Sequence, residues 1–318
     1  MAGQVLRTLL STPLGKDAPP APYQATMVRG AAVNAYSNPA GQLQVTSAML
    51  PVLADEPGAW AAVLSHEIGH LVIRKDYRAY LPAFRAEVRK AYLQSPAAQQ
   101  DSTAGEAVLS APVGRGHAHF GLSDETEYEA DRVGLLIMAE AGYHPDFAIA
   151  VHRRMGRLLH ENSWERREKQ LMKAYDVALA IFQARWPDPS KSPGGNPPPI
   201  GNFGPITATP DTKDHSVTLH FPLRLRNANG LEVRVAATFQ DGNTRVQSAL
   251  PEYRSPDGTL ELNAMLPGAP QMSTEVKLLL PTAAVAGRHR KLRAFLYLQV
   301  GSQQLDISKY IRVNLPEP

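Results

Sequence analysis

Two histidines four residues apart, with a glutamate beside the first, make Ser65-His66-Glu67-Ile68-Gly69-His70 the run most capable of chemistry. On a helix, residues i and i+4 lie one above the other, so His66 and His70 can offer two ring nitrogens to one metal ion. Glu67 sits next to them, where a carboxylate can take a proton from water. Such a set predicts zinc-assisted hydrolysis of a peptide bond: the metal acidifies water and steadies the oxyanion, while Glu67 moves the proton.

This chemistry requires a helix. Asp55-Glu56-Pro57 reads as an N-cap and favourable first turn, and Trp60, Leu64, Ile68 and Leu71 recur at helical spacing, which predicts an amphipathic helix over about 57–75. A catalytic zinc also needs a third protein ligand. The run from Ser123 to Asp131 opens a second helix, with Ser123 as cap and acids in its first turn. Glu127 and Asp131 share one face of it, whereas Glu129, two residues from either, points elsewhere. Glu127 can therefore reach the metal. Asp131, one turn along, can accept a hydrogen bond from the far nitrogen of a ligating histidine and set its tautomer. Rival ligands are Glu87, which has no following acid at helical spacing, and His117 and His119 in the glycine-containing segment 114–121. Ile73 and Asp76 occupy the places where a metzincin would carry Gly and His, so that class is excluded.

Four ordered stretches resemble the successive motifs of peptidase family M48, a group of gluzincins: Val33-Asn34-Ala35-Tyr36, Pro39 to Thr46, His66 to His70 and Glu127 to Asp131. The likeness covers roughly residues 20–170 and is strongest to the soluble, periplasmic BepA-type members. It implies His66, His70 and Glu127 as ligands of one zinc ion, Glu67 as general base and Asp131 as the residue orienting a ligand. Gly142-Tyr143-His144-Pro145 is similar to the turn after the ligand helix in those members. Relatives often place a His-Pro pair beyond that helix. Here the corresponding segment runs from His160 to Arg166 without the proline, which makes His160 a candidate to donate to the oxyanion or to cap the metal at rest. His152 and Arg166 are the alternative oxyanion donors.

Length and composition fit two domains. A chain of 318 residues with 43% hydrophobic residues exceeds the usual single domain. Helical spacing continues through Phe147, Val151, Met155 and Leu158 and then Leu171, Tyr175, Ala178 and Phe182. Residues 186–215 are rich in Pro and Gly and predict an extended linker between a peptidase domain at 1–185 and a second domain at 216–318. Beyond it the period changes to two. Val217 to Phe221, Leu231 to Val235 and Leu296 to Val300 alternate, and Asn229-Gly230, Asp241-Gly242 and Asp257-Gly258 supply turns. The fold expected is α+β: a mostly helical zinc-protease domain with a small sheet, with strands at 23–28, 33–37 and 42–46, followed by an antiparallel β-sandwich.

The formal charge of +3 comes from scattered residues, with one group from Arg288 to Arg293, and no nucleic-acid signature accompanies it. No apolar run approaches the length of a membrane span, which predicts a soluble chain. Cysteine is absent and residues 1–10 lack the features of a signal peptide. The resemblance favours a periplasmic or envelope setting after signal removal, over the cytosol. Two functions follow. One is an endopeptidase acting on unfolded or loop-like polypeptides, in envelope protein quality control. The other is a chaperone or assembly scaffold with latent proteolysis, its cleft covered by 95–121 and its β-domain docked on an envelope partner.

Overall fold

The computed structural model describes residues 1–16, 18, 21–37, 41–74, 124–159, 163–287, 289, 291–308 and 310–316. Glu87, His117, His119, Ser123, His160 and the segment 95–121 lie outside the described residues. The fold is α+β, and the chain divides into two compact units, Met1–Pro197 and Pro198–Pro318.

In the first unit, helices α1 (Ala2–Ser11) and α2 (Pro13–Lys16) precede a three-stranded sheet. Strands β1 (Gln24–Val28), β2 (Ala35–Ser37) and β3 (Gln42–Thr46) are ordered β1-β3-β2, with β1 parallel and β2 antiparallel to β3. Alternation buries Leu43 and Val45 of the central strand, and β2 forms one edge. A one-turn helix, α3 (Leu50–Leu53), then leads into the motif helix, α4 (Pro57–Arg74). Ala54 and Asp55 between them both adopt left-handed backbone, at φ 46° and 53°. Asp55 therefore does not cap α4. Glu56 takes that place, its carbonyl accepting from the N–H groups of Ala59 and Trp60 while its carboxylate binds Arg154 through two hydrogen bonds of 2.8 and 2.9 Å.

The predicted stripe of α4 is buried: Trp60, Leu64, Ile68 and Leu71 are all at most 6% exposed. Helix α5 (Asp124–Glu140) lies against it, and small residues set how closely. A Cβ at Gly69 would come within 2.6 Å of the Ala130 carbonyl oxygen, and one at Gly134 within 2.8 Å of the backbone of Ser65 and His66. Backbone thus meets backbone at two points one helical turn apart on each partner. That approach is what lets short acidic side chains of α5 reach the rings of α4.

Helices α6 (Asp146–Leu159) and α7 (Ser163–Arg185) complete the unit. Phe147, Val151 and Met155 are buried as their spacing predicts, as are Leu171, Tyr175, Ala178 and Phe182, but Leu158 in the last turn of α6 is exposed. The expected linker is largely structured. Its first part carries a short 3-10 turn, Pro189–Lys191, and Pro193 lies against Gly142. Its second part supplies strands β4 (Ile200–Phe203) and β5 (Thr207–Asp211). Proline opposes helix but is compatible with an edge strand, and Pro210 lies in β5, which pairs with β6 alone.

The second unit holds two antiparallel sheets built from β4, β5, β6 (Ser216–Arg226), β7 (Glu232–Asp241), β8 (Thr244–Arg245), β9 (Glu261–Pro267), β10 (Gln271–Pro281), β11 (Lys291–Val300), β12 (Gln303–Ile307) and β13 (Ile311–Asn314). One is ordered β10-β6-β4 with β5 also on β6; the other is β12-β11-β7-β8, with β13 on β11 and β9 on β7. Inward residues of both, among them Phe221, Leu223, Phe239, Leu278 and Leu296, form one buried cluster. The turn glycines read from sequence, Gly230, Gly242 and Gly258, all have positive φ, and Gly242, at 60°, closes the β7–β8 hairpin. Among the described residues no helix is long and apolar enough to cross a membrane.

Gly134→Ala is expected to push α4 and α5 apart against backbone that cannot yield by a rotamer change, destabilising the unit by about 1–3 kcal/mol. Thermal melting together with metal retention checks this; an unchanged melt with full metal binding would show that the crossing is not tight.

Candidate metal centre

The α4–α5 crossing brings four of the predicted residues to one point. His66 and His70 stack edge to face on α4, with ring centroids 4.5 Å apart and planes at 81°, and their Nε2 atoms converge to 3.0 Å. From α5, the two carboxylate oxygens of Glu127 come within 3.4 Å of those two nitrogens, one each. Tetrahedral ligation with metal–ligand distances near 2.0–2.1 Å separates ligand atoms by about 3.3 Å. The three side chains are therefore already spaced as zinc ligands, and a nitrogen–nitrogen–carboxylate donor set suits that ion. Glu67 lies alongside, with a carboxylate oxygen within 4.8 Å of both histidine donors. It is buried, and its own backbone carbonyl accepts a hydrogen bond of 3.1 Å from Ser37 of β2, which ties the edge strand to the motif helix.

Asp131 lies one turn along α5 from Glu127, as the helical period requires, with Oδ1 2.8 Å from His66 Nδ1. This contact leaves His66 Nε2 to face the converging donors. Glu129 points away and binds Arg132 at 2.8 Å. Asp131 is nearly fully buried and has further partners: His152 Nε2 on α6 at 3.4 Å, and Arg167 on α7, which donates through Nε at 3.0 Å and Nη2 at 2.8 Å. Arg167 Nη2 also lies 3.4 Å from Glu127. Burial disfavours the charge on Asp131, but His152 and His66 outweigh it and hold the carboxyl well below its usual range. The same balance applies to Glu127, where burial is overcome by His66 and His70. On His66 burial again opposes charge, yet Asp131 and then Glu127 raise its pKa to about 10. To serve as a metal ligand through Nε2, His66 would have to give up that proton.

Arg167 is a site residue that the sequence reading does not single out. Arg166, one of the alternative oxyanion donors, points outward with 72% of its side chain exposed, and its ion pair among the described residues is with Asp124, at 3.6 Å. A signal exists, because the stripe of Leu171, Tyr175, Ala178 and Phe182 extended back one turn passes through 167, and 166 lies about 100° away. His152 lines the cleft. The cleft, of about 290 Å³, is bordered by Asn34 to Ser37 at its rim and has an apolar wall that includes Met49, Val63, Val151 and Met155.

The sequence profile of peptidase family M48 matches residues 3–210, more than half of the chain. The chain belongs to peptidase family M48. Its family match ends with β5, so most of the second unit lies beyond it. Among curated proteins the chain is similar to the mitochondrial metalloendopeptidase OMA1 of Schizosaccharomyces pombe (32% identical over 137 residues, 42% of this chain and 37% of that protein). It is also similar to OMA1 of Arabidopsis thaliana (28% over 137 residues, 43% and 26%) and of Saccharomyces cerevisiae (29% over 127 residues, 39% and 34%). The matched part thus spans between 26% and 37% of these relatives' length.

The neighbouring charges separate by substitution. Glu127→Ala should abolish tight zinc binding, Asp131→Asn should weaken it about 10- to 100-fold, and Glu129→Ala should leave it unchanged in a metal-competition titration. Arg167→Met strips a buried carboxylate of its bidentate partner and should cost about 3–5 kcal/mol of stability. Arg166→Met, at an exposed pair, should cost less than about 1 kcal/mol by denaturant unfolding. Equal effects at 166 and 167 would contradict the assigned phase of α7.

Proposed function

We propose that this chain is a zinc endopeptidase acting on unfolded or loop-like polypeptide segments. The observation that carries the reading is the convergence of His66 Nε2, His70 Nε2 and the Glu127 carboxylate at ligand spacing, with Glu67 beside them at the cleft. Membership of family M48 and the named activity of the OMA1 relatives support it. His66, His70 and Glu127 would hold the ion. When bound, zinc supplies Lewis acidity and lowers the pKa of water toward neutrality.

The protein's own groups do the rest. Glu67 accepts a proton from water at its carboxylate and returns it to the leaving amide nitrogen. Asp131 holds His66 in the tautomer that presents Nε2, and Arg167, bonded twice to Asp131, keeps that carboxylate aligned and ionised. His152, buried in the same wall, is the described residue best placed to donate to the developing oxyanion; His160 keeps its candidacy from sequence. At the rim, β2 pairs with β3 on one side, and its other edge faces the cleft. An extended substrate segment can add there through main-chain hydrogen bonds, which selects for unfolded chain with little regard to side chains. A segment held inside a folded domain already spends its main-chain N–H and C=O groups on its own neighbours, which limits cutting to loops and misfolded regions.

We read the second unit as a β-sandwich, its two sheets sharing a single core, and as a domain that folds apart from the peptidase. The motif likeness to periplasmic members supports action in the cell envelope, with protein quality control as the role.

Purified protein should hold one zinc ion per chain and degrade casein, and a strong chelator should remove both properties. Glu67→Gln should keep the zinc and lose about 10²- to 10⁴-fold in rate. Metal-free protein with intact histidines would overturn the proposal. If Glu67→Gln fully replaces the wild type in cells, binding rather than hydrolysis is the main role.

A further inference from the structure

The outward face of the β7/β11 sheet carries cations and aromatic rings that the peptidase reading leaves unused. Along β11 the even residues Leu292 to Val300 fill the core, so Lys291, Arg293, Phe295, Tyr297 and Gln299 face out. The pairing register sets Arg293 directly opposite Arg312 of β13 and Tyr297 opposite Ile307 of β12. The Arg293 guanidinium lies 5.1 Å from the centre of the Tyr310 ring, which in turn lies 6.4 Å from that of Phe295. Ile307 and Tyr310 are 41% and 48% exposed.

Elsewhere on this sheet the described basic side chains have acidic partners. Arg234, Arg245 and His289 engage Glu261, Asp257 and Asp241. Among the described residues no carboxylate pairs with Lys291, Arg293 or Arg312. Like charges directly opposite one another across a ladder destabilise it, and an anion between them removes that cost. Paired guanidinium groups suit a phosphate in particular, since each presents a planar fork of donors. Tyrosine with a neighbouring aliphatic side chain is the composition that settles at a membrane–water boundary.

We propose that this face binds the surface of an anionic phospholipid membrane. Phosphates lie over Arg293 and Arg312, Lys291 adds long-range attraction, and Tyr310 and Ile307 rest at headgroup depth. The attachment is peripheral and salt-sensitive, because a few cations and two partly exposed apolar side chains fall short of a permanent anchor.

Flotation of the full chain with vesicles tests this. Vesicles of about three parts phosphatidylcholine to one part phosphatidylglycerol should carry the protein at about 0.1 M salt, phosphatidylcholine alone should not, and about 0.5 M salt should release it. Arg293→Gln and Arg312→Gln should each weaken the partition about five-fold, and the pair about 25-fold, with melting temperature unchanged or raised. Lys213→Gln, an equal charge change on the exposed β5–β6 turn, should alter it less than about two-fold. The proposal fails if anionic vesicles do not bind, or if the double variant binds like the wild type. It fails equally if Lys213→Gln matches the arginine variants, which would make net charge the cause. Displacement by millimolar inorganic phosphate would indicate a simple anion site, and binding of polyglutamate in place of vesicles an acidic protein partner; either replaces the membrane reading.

Discussion

The buried carboxylate of Asp131 is the interaction on which the first unit's site depends. It is 5% exposed, and groups from three helices point at it: His66 from α4, His152 from α6 and Arg167 from α7. A single buried charge of this kind costs several kcal/mol unless its partners are all in place, so the helices must pack in one arrangement to satisfy it. The same arrangement points His66 Nε2 toward Glu127. Site geometry and helix packing are therefore one constraint, and a substitution that loosens either is felt by both.

Close helix crossing makes this possible. An aspartate is short, and it reaches a histidine on a neighbouring helix only where the backbones approach nearer than side-chain packing usually permits. Gly69 against Ala130 and Gly134 against Ser65 and His66 supply that approach. Glycine costs helix stability at exposed positions, about 1 kcal/mol relative to alanine, and here the burial of α4 on both flanks offsets it. The two glycines lie one turn or less from the residues they serve: Gly69 adjoins His70, and Gly134 follows Asp131 by three. Small residues beside His70 and Asp131 thus shape the site, although none of their atoms takes part in chemistry.

The second unit stands on different physics. Alternation, strict in β11 and nearly so in β6 and β7, fills a single apolar core, and turn glycines with positive φ set where strands reverse. Such a scaffold leaves its outward faces free to vary. The unmatched arginines of β11 and β13 belong to that freedom, since burial does not require them.

Local periodicity makes the chemistry legible in the amino-acid sequence itself. The i, i+4 spacing of His66 and His70, and of Glu127 and Asp131, is a property of the α-helix, so the side chains sharing each face follow from the residues alone, as does the separation of Glu129. The strands at 24–28, 35–37 and 42–46 and the alternating segments of the second unit are readable for the same reason. Residues whose position depends on a distant partner are not. Asp55 loses the cap to Glu56 because the chain reverses there through left-handed backbone, residues 200–203 and 207–211 become strands because β6 offers them a ladder, and Arg167, whose place on the apolar stripe of α7 is readable, meets Asp131 only through the packing of α7. Sequence determines which face a side chain occupies on its own element; only tertiary contact, which balances burial of charge against the partners that neutralise it, decides what that face meets.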